Sequence, residues 1–276
     1  MLLQSIKMQI KVLSESKLTL LTFFVLFAWV LLNFLTNVFT YHGRDVLAMY
    51  HPMKILSLTW SGSYNFYFRQ YFPLLVILPA GFAYVSDRSS KSIAFILSRV
   101  GAKNYYLGKF IAVFIVTFTV FTIPFLIEVI LNCLAFPLHA IGDPSNVGTY
   151  DASYQGWVKS YLVYKLYVFS PYIYAVLFIA MVGTISGSLA VFTVAVSTFS
   201  FMKFRIFLFL PVYSFLYILA YLRDWLHLKV STNYFYYLSM FESGPKSGFG
   251  VIFITVFLLC TSLFIFLYKE WKDPYI

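Results

Sequence analysis

Apolar residues dominate six blocks of this chain, at 18–41, 64–85, 109–136, 171–199, 206–222 and 249–268. An α-helix needs about 20 such residues to cross a hydrocarbon layer. The second block is most apolar over 71–85 and extends back to Tyr64 through an aromatic-rich run; the fourth is long enough to be tilted or broken. The pattern predicts an all-α integral membrane protein in which residues 1–276 form one transmembrane domain of six helices. Two further helices are predicted outside the spans. In 1–17, Ile6, Ile10 and Leu13 recur at helical spacing while Lys7, Lys11 and Ser14 take another face. That suits an N-terminal interfacial helix, with a frayed tail as the alternative. In 86–108, Ile93, Ile96, Leu97 and Val100 share one face, Ser89 or Ser90 can cap the start, and Gly101 can end the helix. Segments 42–63, 137–165 and 223–248 read as loops on the opposite side; 231–241 is half-apolar, Tyr-rich and suited to a re-entrant or interfacial helix. No internal repeat or separate soluble domain is visible.

Composition agrees with lipid as the solvent. The chain is 61% hydrophobic and only 11% charged, with mean hydropathy +0.81. One soluble core of this size could not hide so much apolar surface. The net charge of +10 would suggest nucleic acid in a soluble protein. Here the cations lie between spans and no arginine-rich stripe tracks phosphates, so the charge is read as orientation and contact with anionic lipids. With the N-terminus inside, twelve Lys and Arg fall on the inner side and eight on the outer. The bias favours both termini in the cytoplasm. Tyr residues gather near the proposed span ends, where an apolar ring and a wet hydroxyl are both satisfied. Cys133 and Cys260 fall in or near spans as apolar filler, and two cysteines make no disulfide framework. The 18–41 block is too long for a signal-peptide core and is read as a retained span.

Sites of chemistry are sparse. A phosphate-binding loop needs Gly-x4-Gly-Lys-Ser/Thr. The nearest segment, Gly101…Gly108-Lys109-Phe110, has six residues between its glycines and Phe in place of the hydroxyl residue. Any nucleotide must therefore be hydrolysed by another polypeptide. His42, His51, His139 and His227 lack the spacing of a metal pair, and no Gly-x-Ser-x-Gly or His-Glu-x-x-His occurs. Catalytic, cofactor-binding and metal residues are accordingly assigned to none. Glu128 and Asn132 share one face of the third span. They are either a polar element of a substrate path or, as favoured here, outer-interface residues, since a span of about 20 residues from Lys109 ends near Glu128. Gly183 and Gly187 make a small-xxx-small pair in the fourth span, suited more to packing within the chain than to a dimer seam.

Asp87, the polar-apolar helix ending in Ser98-Arg99, and the Tyr105-Tyr106-Leu107-Gly108-Lys109 lead into the third span resemble the permease subunit of type-2 ATP-binding-cassette exporters. Members commonly carry Glu where this chain has Asp87. The architecture of nearly the whole chain is similar to that family; the motif is confined to about 87–109. The resemblance implies that 86–108 holds a cytosolic coupling helix docked on a separate ATPase subunit, which binds ATP and Mg. It implies coupling roles for Asp87, Arg88, Lys91, Ile93, Phe95, Arg99, Lys103 and Lys109. It further implies pairing with a second permease copy or related permease, and a bacterial cytoplasmic membrane. The aromatic and apolar linings suggest an amphipathic or lipid-like cargo such as an antimicrobial peptide, toxin or drug. A membrane-embedded enzyme (intramembrane protease or acyltransferase) needs convergent polar groups, and only Glu128, Asn132 and a few hydroxyls offer themselves. A secondary carrier usually shows inverted repeats, absent here.

Overall fold

The computed structural model describes residues 2–46, 49–59, 63–90, 92–138, 161–199, 204–242 and 246–272, and these are helical with no strand among them. In chain order the helices are α1 (Leu2–Ser14), α2 (Lys17–Tyr41), α3 (Ser63–Ile77), α4 (Ala83–Ser89), α5 (Ser92–Val100), α6 (Ala102–Ala135), α7 (Tyr164–Phe169), α8 (Pro171–Val196), α9 (Phe209–Leu226), α10 (Tyr234–Tyr237) and α11 (Gly248–Lys272). Five of them are long and apolar enough to cross a membrane: α2, α6, α8, α9 with its preceding turn, and α11.

The second apolar block is not one such helix. α3 stops at Ile77 and the chain turns through 78–82 before α4. Pro79 has no amide to continue the ladder, and the Gly81 amide closes back on the Ile77 carbonyl at 2.8 Å. The carbonyl of Pro79 is not stranded: Thr19 Oγ1 of α2 donates to it at 2.6 Å. A hydroxyl from a neighbouring helix thus satisfies the broken backbone, the condition under which a break is tolerated away from water. The third block differs in the other direction. α6 begins at Ala102, seven residues before the apolar run suggests, and its 34 residues extend about 51 Å.

α6 and α8 form the central pair, with α1, α2 and α11 also against α6. Gly183 and Gly187 are where α8 meets α6. A Cβ on Gly187 would lie 2.9 Å from Phe114 Cδ2, and one on Gly183 would press into Thr122 and Phe118. The absence of side chains at these positions sets the approach of the two helices.

α1 buries Ser5, Gln9 and Leu13, while Ile6 and Ile10 are only part-buried. The inward face is therefore rotated toward the polar side. Gly108 of α6 supplies the reason: a Cβ there would meet Ser5 Oγ at 2.6 Å. The small polar Ser5 fits this gap, and Gln9 Nε2 donates to Ser5 Oγ and to the Tyr105 carbonyl.

The far end of α6 is covered by a cap built from 49–59 and 231–241. Met240 N donates to the Leu58 carbonyl at 2.8 Å, and Asn65 Nδ2 of α3 donates to the Leu238 carbonyl at 3.2 Å. Arg69 of α3 pairs with Glu242 at 2.9 Å and lies over the Phe235 ring. Within 231–241 only α10 is helical, its first turn capped by Asn233 Oδ1, which accepts from Phe235 N. Burial lowers Lys54 and Lys246, both in or beside the cap, to about 8 from the usual lysine value.

Candidate functional site

The charged segment leading into α6 forms a compact pair of short helices. α4 ends at Ser89, α5 runs from Ser92, and Gly101 joins α5 to α6 at φ 81°, in the left-handed half of the map that glycine tolerates. Ile93, Ile96 and Val100 are part-buried and Leu97 is buried, so that face of α5 packs inward. The opposite face presents Phe95, 72% exposed, with Arg99 and Ser98 beside it. A large aromatic held in the open on a short, pinned helix is the least expected feature of this end.

Asp87 is the pin. Its Oδ2 accepts from Tyr105 OH at 2.7 Å and pairs with Lys109 Nζ at 2.7 Å. Ser90 Oγ and Ser92 Oγ both donate to its backbone carbonyl. Lys109 Nζ also lies 5.4 Å from the Tyr105 ring centre. Three elements therefore converge on one residue: α4 carries it, α5 is hung from its backbone carbonyl, and α6 grips its carboxylate twice. Gln9 of α1, bonded to the Tyr105 carbonyl, extends the contact to a fourth.

The structure brings Asp87 and Lys109 together and turns both inward, where they hold α4 against α6. Ile93 also packs inward. Arg88 and Lys103 are exposed on the same end without joining the cluster. Lys91 lies outside the described residues, as does His139. Tyr105, read from the sequence as an interfacial ring, is fully buried and central. Gln9 and Ser5 are further members that one-dimensional spacing did not reveal.

Breaking the Asp87–Lys109 pair has a defined expected cost. Removing one partner of a mostly buried ion pair destabilises by about 3 kcal/mol, because the other charge is left in a poor solvent. Lys109→Met and Asp87→Asn should each lower the melting temperature of the detergent-purified chain. The double variant should recover part of the loss, a coupling of about 1–3 kcal/mol. Strictly additive melts would mean the two side chains do not interact.

Glu128 sits in a second polar cluster at the cap end of α6. It is fully buried within the protein. The segment 52–59 folds over this end of α6. Glu128 Oε1 accepts from Ser57 N at 2.7 Å and Asn33 Nδ2 at 2.6 Å, and Oε2 accepts from Ser57 Oγ at 2.6 Å. Asn33 Nδ2 and Asn37 Nδ2 both donate to the Ile55 carbonyl, and Asn132 Nδ2 donates to that of Pro52 at 3.3 Å. The arrangement fastens the cap to α2 and α6 through a carboxylate whose oxygens are already engaged. Among the described residues no group of three His, Cys, Asp or Glu could hold a metal ion. The chain matches no protein-family profile, no curated protein and no solved structure.

Proposed function

We propose that this chain is the transmembrane subunit of an ATP-driven exporter of the type-2 ATP-binding-cassette class, with ATP and Mg bound by a separate cytosolic ATPase. The observation that carries the reading is the α5 lever: an outward aromatic and arginine on a short helix whose two ends are fixed by Asp87, Lys109 and Tyr105. A partner that grips Phe95 and Arg99 moves α5 as a body. Because the pin joins α4, α5 and α6, the displacement reaches the long helix directly and α1 through Gln9. In this reading α3 and α4 together form a broken second crossing, giving six. Both termini and α5 then face the cytoplasm of a bacterial cell, and the exporter works as a pair of permeases moving an amphipathic or lipid-like cargo.

Glu128 supports a transport role over an enzymatic one. Its oxygens accept three hydrogen bonds from its own chain, so it is better placed to fasten the cap than to attack or protonate a substrate.

The test is purification of the tagged chain from native membranes in mild detergent. The expected result is co-purification of a polypeptide bearing a phosphate-binding loop, and nucleotide turnover only when that polypeptide is present. Turnover by the chain alone, freed of all companions, would end the proposal.

A further inference from the structure

A groove of about 380 Å³ opens between α3, α9 and the cap. Tyr213, Tyr217, Tyr221 and Asp224 follow one another at four, four and three residues along α9, so one helical face carries all four. Asn233 and Tyr234 of the cap close the other side. The rings of Tyr217 and Tyr221 are 4.8 Å apart, and Tyr221 stacks on Trp225 at 6.4 Å. Asp224 is exposed and has no ion pair among the described residues. Its neighbour Arg223 turns its Nε to the Leu228 carbonyl instead. A narrow apolar slot of about 30 Å³, bounded by Ile185, Leu189 and Val251, shares Leu216 and Tyr234 with the groove.

The chemistry of these walls selects a charge type. Aromatic faces attract cations through their quadrupole, more strongly as water is excluded. An unpaired carboxylate adds a full charge of the same preference. Two cations beside it are engaged otherwise: Arg69 pairs with Glu242 and Arg223 bonds the Leu228 carbonyl. The volume falls within the range of roughly 300–1,000 Å³ typical of small-molecule sites. Apolar surface at the groove's edge suits a hydrophobic body attached to the charge. We propose that this groove binds hydrophobic organic cations, the charge held by Asp224 and the Tyr217–Tyr221 face and the apolar body lying along Leu216. Anionic amphipaths are repelled by the same carboxylate. Binding does not require transport; service of the groove as a cargo site rests on the exporter reading.

The ligand chemistry has two possible sources, a soluble organic cation and the quaternary ammonium of a choline lipid. Equilibrium binding of radiolabelled tetraphenylphosphonium to the full chain in nanodiscs tests both, with no ATPase present. In anionic phosphatidylglycerol discs the wild type should bind saturably. Asp224→Asn should weaken binding about tenfold or more, and Tyr221→Leu about threefold to thirtyfold. Asp224 is exposed, so its variant should elute and melt like wild type. In discs rich in phosphatidylcholine, displacement of the probe assigns the groove to lipid head groups, and undiminished binding assigns it to a soluble cation. Either result supports the site. Unsaturable binding, or equal affinity of wild type and Asp224→Asn, overturns it. Such a failure would leave the coupling role of α5 untouched, since no ATPase takes part in the measurement.

Discussion

Glu128→Leu should unseat the cap and cost about 3 kcal/mol of stability. The carboxylate accepts from Ser57 N, Ser57 Oγ and Asn33 Nδ2, all buried. Asn33 keeps a second acceptor in the Ile55 carbonyl, so its loss is partial. The amide and hydroxyl of Ser57 lose theirs outright, and each orphaned buried donor costs about 1–3 kcal/mol. Leucine burial and relief of a buried charge offset part of this. The result decides between two views of an acid in an apolar helix. If Glu128 were merely tolerated, an apolar replacement would be neutral or stabilising. If it fastens the cap, the melting temperature in detergent should fall by roughly 6–12 °C. Ser57→Ala, which removes one donor and leaves the carboxylate two, should fall by only a fraction of that. An unchanged melt for Glu128→Leu would show that 52–59 is held by its apolar contacts alone.

How far this fold is legible in its residues follows from the range of the forces involved. Long apolar runs report lipid or core burial over their own length, so the helices around 18–41, 171–199 and 249–268 were legible, with ends within about four residues. The second run misled because its hydropathy is continuous through Pro79 and Gly81, whereas its backbone is not; punctuation outweighed composition. The third misled at its start. Ala102-Lys103-Asn104 is polar and reads as loop, yet Tyr105 and Lys109 are drawn into the same helix by Asp87, 18 and 22 residues earlier. What surrounds Glu128 was not legible either. Its partners Asn33 and Ser57 lie 95 and 71 residues away, and no periodicity links them. The polar seam of Ser5 and Gln9 was hidden for a related reason. A face facing water and a face meeting Gly108 of another helix have the same composition.

In the proposed exporter, alanine at Phe95 and Arg99 together should abolish export while leaving the chain inserted, folded and thermally unchanged. Phe95 is 72% exposed and Arg99 is exposed, so truncation removes little internal packing. Their value, if any, lies in a partner. Aromatic and arginine anchors at the centre of an interface typically contribute about 2–4 kcal/mol each. Losing even one such contribution weakens association about 30- to 1,000-fold. Co-purification of the ATPase should fall accordingly, and cargo efflux from cells should drop to background. The pin residues give the complementary result. Lys109→Met lowers the melt because it breaks an internal pair, yet it leaves Phe95 and Arg99 in place to be gripped. The proposed partner ATPase should still co-purify, with nucleotide turnover no longer matched by efflux. Grip and transmission are thus separable: one variant loses the partner and keeps its stability, the other loses stability and keeps the partner. Export at the wild-type rate from the Phe95→Ala, Arg99→Ala double variant would remove α5 from the driving train, whatever its exposure.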